Sequence, residues 1–175
     1  MLNSTRFPLV ALAIVSLVVT VACGQTAPPP EEPAAPGNPL RGVWSMTAVA
    51  PGDGSAVIDP SQPGLYIFAE GYYSAVYAPG AEPRVPSANP FEPSADEMVA
   101  QHESIIVNTG TYEVSGSTIT FRPVIAKSPG FVGGHATSGF AIDGDSLTLT
   151  GLTVVGADGT EAPNVTGSTT FRRVE

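Results

Sequence analysis

Aromatic side chains gather on segments with a strand-like pattern: Tyr66, Phe68, Tyr72, Tyr73, Tyr77, Tyr112, Phe121 and Phe140. Successive side chains of a strand point to opposite faces. Tyr66 and Phe68 therefore share a face of one segment, Tyr73 and Tyr77 share a face of the next, and Tyr72 takes the other. Rings contributed by facing hairpins can fill an interior as core or line a space for a small apolar or amphipathic molecule, and both readings stand at this level. The candidate lining set is Tyr66, Phe68, Tyr73, Tyr77, Tyr112, Phe121 and Phe140, with Arg122 as a conditional member. Arg122 lies on the strand face opposite Phe121. Pointing inward it would pair with a ligand carboxylate; pointing outward it is a surface charge.

Other reactive side chains are sparse. The two histidines are His102, on the apolar face of a predicted helix and expected to pack there, and His135, at a strand start after Gly133-Gly134. A metal centre needs three or four converging ligands, and the histidines with Glu103 make too thin a set, so neither a metal nor another cofactor is expected. No nucleophile elbow or phosphate-cradling loop is present. An enzyme of isomerase or cyclase type would have to work through a tyrosine or glutamate, a lesser alternative to binding.

The one cysteine, Cys23, ends an apolar run from Leu9 to Ala22 that follows Arg6. At about 1.5 Å per residue that run is too short to span a bilayer core of ~30 Å, so residues 1–22 read as an export signal. The ending Val19-Thr20-Val21-Ala22-Cys23-Gly24 resembles a bacterial lipobox, which implies lipidation at Cys23 and an anchored, exported protein, at the outer membrane or the outer face of the plasma membrane. Residues 23–38 are the modified cysteine and a Pro-rich tether, extended at about 3.1 Å per residue. The net charge is −9, and residues 1–22 contribute Arg6 and no acid, so the remainder is more acidic still. Such a surface repels phosphate backbones, and nucleic acid is not an expected partner.

These groups must be positioned by residues 39–175. With 19 glycines, 18 prolines and only 13% charged residues, this region suits short strands joined by many turns. Strands are predicted at Val43–Val49, Gly64–Ala69, Tyr72–Tyr77, Gly110–Val114, Ser117–Ala126, His135–Ile142, Ser146–Val155 and Ser168–Val174. Glu70-Gly71, Ser115-Gly116 and Asp143-Gly144-Asp145 supply tight turns. Ser94-Ala95-Asp96-Glu97 is a capping box, and Ala95, Met98, Val99, His102, Ile105 and Ile106 recur at helical spacing. This predicts a helix over 95–107 packed by that face.

The stretches Leu40-Arg41-Gly42-Val43-Trp44-Ser45, Gly64-Leu65-Tyr66-Ile67-Phe68, Glu70-Gly71-Tyr72-Tyr73-Ser74-Ala75-Val76, Thr109-Gly110-Thr111-Tyr112-Glu113-Val114, Ile142-Asp143-Gly144-Asp145-Ser146-Leu147-Thr148-Leu149 and Phe171-Arg172-Arg173-Val174 resemble, in order and spacing, the bacterial lipocalin-like domain family. Gly42-Val43-Trp44 also resembles the G-x-W signature of lipocalins. The resemblance implies that Trp44 plugs a closed barrel end with a basic residue of the last strand upon it, Arg172 or Arg173. Arg172 is the expected partner, because Phe171 reads as core-facing and Arg173 shares its face. The expected fold is all-β, an eight-stranded antiparallel lipocalin-like barrel with one α-helix inserted between strands three and four. The expected function is a membrane-tethered extracytoplasmic protein holding a small apolar or amphipathic ligand. The alternative is a structural or partner-binding envelope lipoprotein with a filled barrel.

Overall fold

Alternating apolar and polar residues punctuated by Gly-containing turns should give paired strands that bury one face. The computed structural model describes residues 37–60, 62, 64–162 and 167–174. Its strands are β1 (Gly42–Pro51), β2 (Leu65–Phe68), β3 (Tyr72–Tyr77), β4 (Ile106–Ser115), β5 (Thr118–Ala126), β6 (His135–Asp143), β7 (Ser146–Val155) and β8 (Gly167–Arg173). Each pairs antiparallel with the next, and β1 pairs with β8, closing an eight-stranded barrel. A helix, α1 (Ala95–Glu103), is inserted between β3 and β4. The signal-peptide, lipobox and tether readings of residues 1–36 lie outside the described residues. Among the described residues no helix is long and apolar enough to cross a membrane.

The turns follow their chemistry. Ser115 pairs with Thr118 across Gly116-Ser117, and Asp143 pairs with Ser146 across Gly144-Asp145. Gly144 takes φ +56°, the left-handed region a two-residue hairpin turn requires. Where β4 meets β5, a side chain at Gly110 would collide with the Arg122 carbonyl, so only glycine lets these strands approach.

Three bulges shape the barrel. Thr47 is the extra residue of β1 against β8, Val124 that of β5 against β4, and β7 carries one extra residue against β6 between Thr150 and Thr153. A bulge bends its strand and increases local twist. It also reverses which parity faces inward. Below the bulges the inward residues are Trp44 and Met46 on β1 and Leu147 and Leu149 on β7; beyond them they are Val49, and Leu152 and Val154. The closed half is packed solid around Trp44, Phe68, Ile119, Leu147 and Phe171, each at most 2% exposed.

The helix departs from expectation. Its capping box forms, with Glu97 N–H donating to Ser94 Oγ and Ser94 N–H to Glu97 Oε2. It ends at Glu103, however, and Ile106 opens β4, four residues earlier than the sequence predicts, pairing with Tyr77. The run Ile105-Ile106-Val107 is β-branched and favours a strand once a partner is at hand. Without those isoleucines α1 has no continuous apolar face. Met98 and Val99 are more than half exposed and His102 is exposed. The helix is instead held by polar contacts at its carbonyl end. Arg84 donates from Nε to Ser104 Oγ (3.0 Å) and from Nη2 to the Gln101 carbonyl (3.3 Å), and Lys127 Nζ donates to the His102 carbonyl (3.1 Å). Cations at that end also oppose the helix dipole.

Candidate functional site: the barrel interior

The barrel is not filled. From its open end a cavity of about 720 Å3 reaches down past the bulges, within the size range of small-molecule sites. Tyr66 of β2, Tyr73 and Tyr77 of β3, Phe121 of β5 and Phe131 supply its aromatic surface, and Met46, Val49, Ala136, Leu149, Leu152 and Val154 add aliphatic surface to a predominantly apolar lining. Its polar side chains, among them Asn108, Lys127 and Glu161, come from strand ends and connecting segments. Tyr73 meets Phe121 edge-on at 4.8 Å, Tyr66 meets Phe171 at 4.8 Å, and Tyr66 stacks on Tyr77 at 6.0 Å between ring centroids.

Four of the sequence-predicted lining residues thus come together: Tyr66, Tyr73, Tyr77 and Phe121. The others do not line the cavity. Phe68 and Tyr112 belong to the packed closed end, their rings 5.2 Å apart. The Tyr112 hydroxyl donates to the Ala69 carbonyl and accepts from Asn38 Nδ2. Phe140 is half-buried against the core toward the closed end of β6. Arg122 points outward, exposed, with its Nη2 4.0 Å from Glu113 Oε2. It stands between the inward Phe121 and Pro123, and the alternation of β5 puts it outside. A carboxylate-binding role inside the barrel is therefore not available to it.

The interior titratable groups are phenols. Burial pushes the Tyr73 hydroxyl up to about 12. Burial, aided by the neighbouring phenols of Tyr77 and Tyr73, holds Tyr66 well above the ordinary tyrosine range, and burial raises Tyr77. The accessible surface that Tyr66 and Tyr77 retain belongs to the cavity wall. All three stay neutral, as hydrogen-bond donors. The Tyr73 hydroxyl is sealed from water and has no partner, an arrangement that costs roughly 1–3 kcal/mol. Among the described residues no group of three or more His, Cys, Asp or Glu could hold a metal ion.

The closed end is built around Trp44, which is wholly buried. Its indole N–H donates to the Leu40 carbonyl at 2.7 Å. Arg173, and not Arg172, covers its face, with the guanidinium carbon 4.0 Å from the ring centroid. The register explains the correction. Trp44 lies directly opposite Arg173 in the β1–β8 pair, whereas Arg172 lies opposite Ser45 and is exposed; directly opposed residues share a face. Arg173 also donates to the Arg41 carbonyl (2.7 Å) and the Pro39 carbonyl (2.9 Å), tying residues 39–41 across the barrel end.

Sequence reasoning missed the aliphatic half of the lining: Val49, Leu152 and Val154 sit beyond bulges, where strict alternation places the wrong residues inside. Gly151, at φ +62° within β7, was the available signal, since an isolated glycine in a strand marks a bulge. Compared with protein families, curated proteins and solved structures, the chain matches none.

Proposed function

We propose that this protein is an exported, lipid-anchored binding protein that carries a small apolar or amphipathic molecule in its barrel. The observation that supports this reading most is the 720 Å3 apolar cavity with its convergent phenols, because a barrel serving only as a structural element gains stability from a filled core. The eight-stranded closed barrel is a fold compatible with holding one small ligand. The membrane part of the reading rests on the apolar run Leu9–Ala22 and the lone Cys23.

Two measurements test it. N-phenyl-1-naphthylamine, which brightens in apolar surroundings, should be taken up by the wild-type protein. Ala136→Trp, which projects an indole into the cavity beside Phe121, should lower that affinity at least tenfold while circular dichroism stays that of a barrel. Unchanged uptake by a folded Ala136→Trp protein overturns the binding site. For the anchor, the full chain in a bacterial host should incorporate radiolabelled palmitate and partition into detergent, and Cys23→Ser should do neither. Equal behaviour of the two proteins removes the lipoprotein reading.

A further inference from the structure

Strand alternation puts one carboxamide on the inner wall. Gly110 and Tyr112 of β4 are buried on its inward face, and Asn108, two residues before Gly110, takes the same face. Asn108 is half-buried and lines the cavity. The ladder gives it small neighbours. It lies opposite Ala75 of β3 on one side and Ala126 of β5 on the other, and directly opposed residues share a face. Two methyl groups on its flanks leave the carboxamide uncovered. Among the described residues that carboxamide forms no hydrogen bond, whereas the hydroxyl of Thr109 beside it donates to the Tyr73 carbonyl at 2.6 Å. Ala75 is in turn opposite Tyr66, and Tyr77 is one inward position nearer the open end. The phenols of Tyr66 and Tyr77 line the same cavity. The charged lining residues Lys127 and Glu161 stand at the rim, on the segments that follow β5 and β7.

A carboxamide carries two N–H donors and an acceptor oxygen. A wholly apolar occupant would strip water from it and leave both ends unpaired. An ether or an ester, which only accepts, would leave the amide oxygen unpaired. Either outcome weakens binding, because a polar group shut away from water without a partner is costly. A hydroxyl both donates and accepts. It can donate to the Asn108 oxygen and accept from the amide N–H or from a neighbouring phenol. We infer that Asn108 is the polar anchor of the cavity and that the molecule held there is an apolar alcohol, its hydroxyl on this carboxamide and its hydrocarbon body against the aromatic and aliphatic wall. This deepens the proposed binding function and rests on it. The barrel then discriminates an alcohol from an ether of the same skeleton, as sites built to hydrogen-bond a hydroxyl do.

The test uses four matched probes, 1-decanol, 1-methoxydecane, decane and decanoate, each displacing N-phenyl-1-naphthylamine at pH 8 from the wild-type protein and from Asn108→Leu. The leucine variant should bind 1-decanol about tenfold more weakly than the wild type, the range expected from losing a buried hydrogen-bonding partner. It should bind 1-methoxydecane and decane at least as tightly as the wild type does. A second measurement needs no variant. The side-chain amide resonances of Asn108 in the wild type, assigned through its own β-carbon, should move downfield when 1-decanol is bound and not when decane is bound. Equal changes for 1-decanol and its methyl ether in Asn108→Leu overturn the inference, as does 1-decanol binding that leaves the Asn108 amide unmoved. Tighter binding of decanoate than of 1-decanol also overturns it, the head then being held by charge at the rim. In those three cases the dye is still displaced and the binding function stands; if no probe displaces the dye, both fall.

Discussion

Arg173 and Arg172 are adjacent, identical in type, and opposite in consequence. Arg173 lies over the Trp44 ring and donates to two backbone carbonyls; Arg172 is exposed on the outer face. Arg173→Ala removes a cation–π contact and two charge-assisted hydrogen bonds, an expected loss of about 2–3 kcal/mol in urea unfolding. Arg173→Lys keeps the charge but not the planar fork that spans both carbonyls, so it should recover only part of that loss. Arg172→Ala should stay within about 0.5 kcal/mol. Equal effects at 172 and 173 would show that the stacking does not matter to stability. Trp44 as the plug was legible in the sequence because a single tryptophan after glycine opens the first strand. Which arginine covers it was not, because that depends on whether residue 44 faces 172 or 173 across the β1–β8 ladder. One residue of register decides it.

Among the elements, α1 shows how a correct local signal can sit in a wrong global picture. Its capping box is present in the sequence and in the fold, yet the apolar spacing that suggested a buried face borrowed Ile105 and Ile106 from the adjoining segment. Because Met98 and Val99 are largely exposed, Met98→Ala and Val99→Ala should each change global stability by less than about 0.5 kcal/mol. Ser94→Ala should cost α1 about 1 kcal/mol through the lost cap. That loss should appear as faster amide exchange within residues 95–103 with little movement of the urea midpoint, since a weakly packed element opens on its own. A midpoint shift as large as the exchange effect would show α1 to be coupled to the barrel. The strands were legible because their turns carry Gly at the positions that need positive φ. The bulges were not, because an extra residue at Thr47 or Val124 leaves no mark on composition and only shifts the parity beyond it. The upper part of the cavity lies where that parity has been shifted. Half of its candidate lining residues were therefore placed correctly and the aliphatic remainder was missed.

For the whole molecule, the separation of charge outside from phenols inside fixes how stability responds to alkaline pH. A phenol in the unfolded chain ionises near 10, whereas Tyr73 in the folded barrel holds its proton to about 12, and Tyr66 and Tyr77 are raised as well. Below pH 10 both states are protonated at these positions, and the phenols give stability no slope. Between 10 and 12 the unfolded state sheds protons that the folded state retains. The unfolded form is then favoured as pH rises, by about 1 kcal/mol per pH unit for Tyr73, with Tyr66 and Tyr77 acting in the same direction. The urea midpoint of the wild type should fall steeply above pH 10, and phenolate absorbance from the interior tyrosines should appear with unfolding, not ahead of it. Tyr73→Phe should have a shallower fall over the same window, and it should be more stable than the wild type at pH 11 by more than at pH 8, because the apolar ring neither ionises when unfolded nor leaves a buried hydroxyl without a partner. If the two proteins lose stability in parallel across this range, Tyr73 is not held in the low-dielectric interior, and its raised pKa would have to be abandoned.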